Sequence, residues 1–155
     1  MRVSSCTMVE DTDGIRARLY PLQNDIEDTS KRTLFTNILF KLSKIEREIK
    51  GVSRTQLIHI SREKEKIEKG FLETPEAEAQ AKAIIKHWSR VHDGHWESNF
   101  VFLSEELERE KTRIFGLKDR VLEDTLLLEY EMLDTMLGIL KDEYDAVQSF
   151  KVKVD

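Results

Sequence analysis

The placement of proline is the feature that most limits how this chain can fold. Only two prolines occur in its 155 residues, Pro21 and Pro75, so the 80 residues that follow Pro75 contain none. Because proline interrupts both helices and sheets, such a stretch permits long regular elements. Charged residues make up 35% of the chain and hydrophobic residues 39%, which suits helices that bury one stripe. No segment alternates as a strand does, so the sequence predicts an all-α protein.

The boundaries of the helices follow from a few local signals. Pro21 predicts a kink or an early end in the first helix. Gly70 is placed to end the second, because glycine tolerates the left-handed conformation of a helix end. Thr74 can cap the third, with Pro75 at its first position. We expect a flexible lead-in at residues 1–11 and one domain at residues 12–155, with helices at 12–30, 31–69 and 75–150.

Apolar residues recur at the spacing of a helix-packing seam. In the third helix Leu107, Ile114, Val121 and Leu128 repeat every seven residues, the pattern of a coiled coil. So charged a chain buries little surface alone, which predicts an elongated antiparallel three-helix bundle that forms dimers. The expected core and dimer residues are Ile45, Ile49, Trp88, Phe100, Leu103, Leu107, Ile114, Leu117, Val121 and Leu128.

Positive charge is concentrated in the second helix. The chain carries a net charge of −5, which argues against bulk attraction to nucleic acid or to a membrane, yet residues 31–70 hold eleven basic and five acidic residues. A basic stripe of this kind attracts anionic lipid headgroups, although a solvated face balanced by neighbouring glutamates is an open alternative. The candidate lipid-binding residues are Lys41, Lys44, Arg47, Lys50, Arg54, Arg62, Lys64, Lys66 and Lys69.

Three histidines raise the question of a metal site. His87, His92 and His95 fall within nine residues, with Asp93 and Glu97 beside them, and zinc binds both kinds of side chain. Their spacing matches no metal motif, so a solvated polar face is the favoured interpretation.

Signals for catalysis are absent from the sequence. Cys6 is the only cysteine, so an internal disulfide framework is excluded and a reducing environment is expected. Neither a nucleophile elbow nor a glycine-rich phosphate loop occurs, and acid pairs such as Glu105–Glu106 and Glu129–Glu131 suit an exposed helix surface. We therefore expect no enzyme activity and no cofactor.

Three groups of residues from Pro75 onward follow the pattern of a known family. They are Pro75, Gln80, Ala81, Lys82, Ile85, Trp88, Arg90 and Val91, then Phe100, Leu103, Ser104, Leu107, Glu110, Arg113 and Ile114, and finally Tyr130 and Glu131. At these positions the start of the third helix resembles the last BAR helix of sorting nexins, and the likeness continues through the residues that follow; it covers these C-terminal helices only, and no phox-homology domain is present.

This resemblance implies a BAR-like coiled coil that is not an enzyme. Such a module forms a homodimer, or a heterodimer with a related BAR-type chain, and binds acidic phospholipid membranes in endosomal protein transport. The implied location is cytoplasmic, at the periphery of endosomal membranes. Trp88 is then expected to clamp the third helix onto the second, near Ile60 and Ile67.

Two alternatives remain open. Gly70-Phe71-Leu72 and Ala77-Glu78-Ala79 are similar to the first helical corner of BAG-type regulators, which implies Hsp70 as a partner and nucleotide exchange as the function. BAG modules have a break before the last helix and a basic, glutamine-bearing face on it, whereas residues 118–150 are acidic. The third possibility is a plain coiled-coil adaptor.

Overall fold

The computed structural model describes residues 14–152, and all regular structure in that range is helical, which confirms the all-α prediction. The expected lead-in at residues 1–11 and Cys6 lie outside the described residues. The elements are α1 (Gly14–Leu19), a 3₁₀ helix (Tyr20–Asp25), α2 (Thr29–Glu68), α3 (Pro75–Phe115) and α4 (Arg120–Val152).

The first helix is shorter than the predicted 12–30. It ends at Leu19, and the chain continues as a 3₁₀ helix with Pro21 in its first turn, because proline removes an N–H and disfavours the α conformation before it. The start of α1 depends on Glu46, whose two carboxylate oxygens accept the N–H groups of Gly14 and Ile15, each at 2.9 Å. A side chain of α2 thus satisfies the donors that a helix start leaves open.

The turn between α2 and α3 matches its prediction. Gly70 has a φ of 69°, and the N–H groups of Gly70 and Phe71 bond back to the carbonyls of Ile67 and Lys66, the Schellman arrangement for a helix end. Thr74 Oγ1 accepts the N–H of Ala77 at 3.1 Å, which caps α3 with Pro75 at its first position. The predicted helix end at Gly70 and the predicted helix start at Thr74 and Pro75 are both confirmed.

The predicted single helix at 75–150 is wrong, because the structure ends α3 at Phe115 and begins α4 at Arg120. Gly116 weakens the helix there, and Asp119 starts a new one: its Oδ1 accepts the N–H groups of Val121 at 2.9 Å and Leu122 at 3.4 Å. The seven-residue repeat from Leu107 to Leu128 is therefore interrupted.

The described residues fall into two compact units. The first unit comprises residues 14–48 and 100–143, and the second comprises residues 49–99 and 144–152. The first has an aliphatic core, with fully or nearly fully buried Ile15, Leu39, Leu103, Met136 and Leu140. The core of the second is different, because polar side chains surround its buried tryptophan, Trp96.

Candidate functional site

The predicted lipid-binding residues divide into three groups. Lys50 is only 6% exposed, which rules it out as a headgroup contact. It occupies a buried position of α2, because Glu46, Lys50 and Ser53 follow the same spacing as Leu42 and Ile49. The side chains that face solvent are Lys41, Lys44, Arg47, Arg54 and Arg62.

The third group, at the end of α2, already has partners. Lys64 Nζ lies 4.2 Å from the centre of the Phe150 ring. Lys66 pairs with Glu63 at 2.9 Å, and Lys69 pairs with Glu65 at 2.6 Å. That hydrogen bond is the main reason why the pKa of Glu65 is lowered and that of Lys69 is raised. The side chains of Lys66 and Lys69 nevertheless stay 50% and 55% exposed, and exposed ion pairs of this kind are weak.

The predicted core residues are only partly buried. Ile49, Leu103 and Leu107 lie in the core, each at most 8% exposed. Val121, in contrast, is 73% exposed within the chain, because the break before α4 removes it from the stripe of Leu107. The remaining six are half-buried: Ile45, Trp88, Phe100, Ile114, Leu117 and Leu128.

Trp88 joins α3 to α2 at His59, which directly precedes the expected Ile60 in the sequence. Its ring stacks on His59, with ring centres 4.1 Å apart and planes 10° from parallel. His87 meets the same indole edge-on at 5.4 Å. An aromatic stack of this kind adds to what area burial contributes, so the role of Trp88 is structural.

The histidine segment is not the solvated polar face that the sequence predicted. His92 and Trp96 are completely buried, and Ser53 of α2 is 3% exposed. Trp96 Nε1 donates to Ser53 Oγ at 3.1 Å and lies 3.0 Å from His92 Nε2, and Ser53 Oγ is 2.6 Å from the same His92 nitrogen. Sequence reasoning missed this cluster, which we call the Ser53–His92–Trp96 cluster.

The cluster continues into the end of α4. Lys151, which is 8% exposed, places its Nζ 3.3 Å from His92 Nδ1 and pairs with Asp93. Gln148 donates to the same Asp93 oxygen at 2.8 Å. Burial opposes ionisation of Asp93, but the hydrogen bonds from Lys151 and Gln148 outweigh it and lower the pKa of this carboxyl. The buried ammonium therefore has an ionised partner.

His92 is neutral in this setting. A doubly protonated ring would direct one N–H at the Trp96 N–H and the other at the Lys151 ammonium. Burial is the largest cause that lowers the pKa of His92 to about 4, and the charge of Lys151 is the next. A neutral ring has one unprotonated nitrogen, so either Nε2 accepts from Ser53 and Trp96 or Nδ1 accepts from Lys151.

The chemistry available to the cluster is limited by its burial. A serine 2.6 Å from a histidine nitrogen has the geometry of an activated nucleophile, but a substrate cannot reach Ser53 without opening the core. Within residues 14–152, no three metal-binding side chains are grouped closely enough to hold an ion. The arrangement instead satisfies the hydrogen bonds of buried polar groups, so a substitution that disrupts it is expected to cost stability.

The surface cavities between the helices of the first unit include two with contrasting linings. One, of about 500 Å³, lies between α2 and α4 and is bordered by Ile26, Ser30, Lys31, Leu34, Val121, Asp124, Thr125, Leu127, Leu128 and Glu131; we call it the apolar groove. The other, of about 240 Å³, is bordered by Ile38, Lys41, Leu42, Ile45, Phe102, Leu103, Glu106, Glu110, Glu129 and Leu133; we call it the acidic pocket.

Comparison with known proteins finds no matching family, and no characterised protein or solved structure matches the chain significantly. Among the helices of residues 14–152, none combines the length and apolar character needed to cross a bilayer.

Proposed function

We propose that this chain is a non-enzymatic helical interaction module that assembles with another helical chain, in the first place a second copy of itself. The observation that carries the proposal is the distribution of exposed apolar side chains. Of the thirteen large ones within residues 14–152, nine lie in the first unit, and exposed apolar patches are typical of interaction surfaces.

The apolar groove is the part of that surface best suited to a partner. Val121 and Leu127 on its α4 side are 73% and 42% exposed. Two other exposed aromatics of this unit are already in contact, since the Arg16 guanidinium lies 5.6 Å from the Tyr20 ring and 5.1 Å from the Phe40 ring. The groove therefore offers exposed apolar side chains to a partner.

The charges at the groove favour a second copy as the partner. Lys31 lies on the α2 side, whereas Asp124 and Glu131 lie on the α4 side. In a two-fold dimer the same patch faces itself, so the basic side of one copy can meet the acidic side of the other. A heterodimer with a related chain would use the same surface.

Sedimentation equilibrium at micromolar concentration tests the assembly. The parent chain is expected to form a dimer, and Val121→Glu to shift it to the 18.2 kDa monomer, because the charge would be buried in the interface. Val52→Glu is the matched control, since Val52 is 46% exposed in the second unit. A parent chain that stays monomeric, or a Val121→Glu variant that dimerises as well as the control, contradicts the proposal.

A more specific proposal, which the sorting nexin resemblance implies, is that the dimer attaches to a membrane. It describes a BAR-like dimer in the cytoplasm, bound peripherally to acidic endosomal membranes in protein transport. The supporting observation is that Arg54 and Arg62 are exposed at the outer face of α2, one on each side of the exposed Ile58. Two basic residues with an apolar one between them can bind headgroups and the outer acyl region together.

Cosedimentation with acidic vesicles tests the membrane proposal. Arg54→Glu/Arg62→Glu should lose binding, since each basic residue near an acidic surface contributes about 1 kcal/mol. Lys118→Glu/Arg120→Glu makes the same change in net charge between α3 and α4 and should bind like the parent chain. If both variants bind the vesicles equally well, the membrane proposal is contradicted and a plain coiled-coil adaptor is favoured.

One observation favours a second candidate, a BAG-type regulator of Hsp70. The break at Gly116 separates α3 from a last helix, which that resemblance requires. The basic face it also requires is not supported, because Gln148 and Lys151 are held by Asp93. Binding to the Hsp70 nucleotide-binding domain with faster nucleotide release would support this function, and failure to bind would exclude it.

A further inference from the structure

The acidic pocket of the first unit contains a buried carboxylate oxygen with no hydrogen-bond partner. Glu110 is 8% exposed. Its Oε1 accepts a hydrogen bond from Arg113 at 2.6 Å, whereas its Oε2 is buried and bonded to nothing. An unsatisfied buried acceptor destabilises the fold, and more so when it is charged. A donor that reaches this oxygen would recover that cost.

The surroundings of Glu110 define what kind of donor fits. Glu106 and Glu129 border the same pocket, and Lys41 is the only basic residue among its lining side chains. Arg109 and Arg113 pair with Glu106 and Glu110, but both guanidinium groups lie outside the lining and are mostly exposed, so solvent screens them. The pocket therefore favours a positively charged donor.

The remaining wall of the pocket is apolar. Ile38, Leu42, Leu103 and Leu133 line it, together with Phe102, which is 50% exposed. Aromatic faces attract organic cations, and aliphatic walls suit the hydrocarbon part of such a ligand. Since no three metal-binding groups are clustered within the described residues, a bare metal ion is a poor fit.

We propose that the acidic pocket binds an alkylammonium group, with the charged nitrogen at Glu110 and the hydrocarbon chain against Phe102 and the aliphatic wall. The cavity of about 240 Å³ equals the volume of roughly eight water molecules, which accommodates a short primary amine. The same chemistry is available from a free amine and from a lysine side chain presented by another protein.

Lys41 is the internal competitor for this site. It lines the pocket and is exposed, so its own ammonium can approach the carboxylates when no ligand is bound. Removing the charge with Lys41→Met should leave the three glutamates without this neighbour and tighten binding of an external amine several-fold.

Titration with n-butylammonium at pH 7, followed by NMR shifts of the Leu103 and Leu133 methyl groups, tests the proposal. Glu110→Gln should weaken binding at least tenfold, while n-butanol, of the same length but neutral, should bind weakly to every variant. Glu105→Gln is the matched control, because Glu105 is exposed on the same helix and does not line the pocket. A parallel titration with a blocked lysine dipeptide separates the two sources of the amine.

Each outcome decides the proposal. Loss of binding in Glu110→Gln with retention in Glu105→Gln supports it, and tighter binding by Lys41→Met supports it further. Equal binding of butanol and butylammonium, equal binding by Glu110→Gln and the control, or no shift at the two leucines overturns it. If Glu110→Gln fails to fold by circular dichroism, Glu129→Gln takes its place with the same expectation.

Discussion

The cores of the two units are stabilised by different kinds of interaction. The first buries aliphatic side chains such as Leu39 and Leu140 and leaves much apolar surface outside. The second buries fewer aliphatic residues and centres its core on Trp96, whose N–H, the Ser53 hydroxyl and the His92 ring satisfy one another. Apolar packing is tolerant of rearrangement, whereas a satisfied polar network specifies one arrangement. We therefore propose that the first unit binds the partner, while the polar network of the second unit favours a single conformation.

The largest expected effect comes from removing the centre of the second core. Trp96→Ala should lower the free energy of unfolding by about 3–5 kcal/mol, because it leaves a cavity and deprives Ser53 and His92 of a donor. Trp88→Ala is the control on the same helix, and since Trp88 is half-buried its cost should be less than half as large. Denaturant unfolding measures the loss of stability in both variants. Equal losses would contradict the claim that the cluster contributes more to stability than its surroundings do.

Acid should weaken the second unit through His92. Its pKa is about 4 in the folded chain against 6.5 for the free side chain, so the unfolded state binds more protons between these values. The stabilisation is complete above about pH 6.5, declines as the pH falls towards 4, and amounts to about 3 kcal/mol at most. The titratable groups that act on the ring are Lys151, Asp93 and His95.

Denaturant unfolding between pH 4 and 7 measures this effect. The variant His92→Gln should show a weaker dependence on pH than the parent chain, while His87→Gln, on the exposed face of α3, should follow the parent. An NMR titration that gives His92 a pKa near 6.5 would contradict the neutral, buried state.

A smaller effect is expected from the buried carboxylate that anchors α1 in the first unit. Glu46→Ala removes the acceptor of the Gly14 and Ile15 N–H groups and should destabilise the chain by about 2 kcal/mol. Glu48→Ala, at an exposed position two residues away, should change stability by less than about 0.5 kcal/mol. Faster protease cleavage near residues 14–25 would show that the loss of stability is confined to α1 and the 3₁₀ helix, as expected.

The sequence predicted the elements with strong local signals. Pro75, Thr74 and Gly70 mark helix ends by chemistry that acts within a few residues, and the structure confirms all three. The break at residues 116–119 has equally local signals, Gly116 and the cap Asp119, but the apparent heptad across it suggested an unbroken helix. A repeat in sequence cannot show whether the backbone between two copies stays helical.

The Ser53–His92–Trp96 cluster was missed because polar residues were assumed to face solvent. Spacing carried the information: Trp96 lies seven residues before Leu103, and Ser53 lies eleven after Leu42, so each falls on the buried side of its helix. Lys50 follows the same spacing, whereas Lys151 was beyond such reasoning, since its burial depends on His92 and Asp93 of another helix, which no local pattern reveals. The exposure of Val121 likewise depends on the break before α4.

The most direct test of the central claim, that the first unit is the surface of assembly, is amide hydrogen exchange measured at low and high protein concentration. The account predicts that protection rises with concentration in residues 26–34 and 121–131, which border the apolar groove, and that residues 49–99 exchange at the same rate at both concentrations. Concentration-dependent protection confined to residues 49–99, or none in either unit, would contradict it.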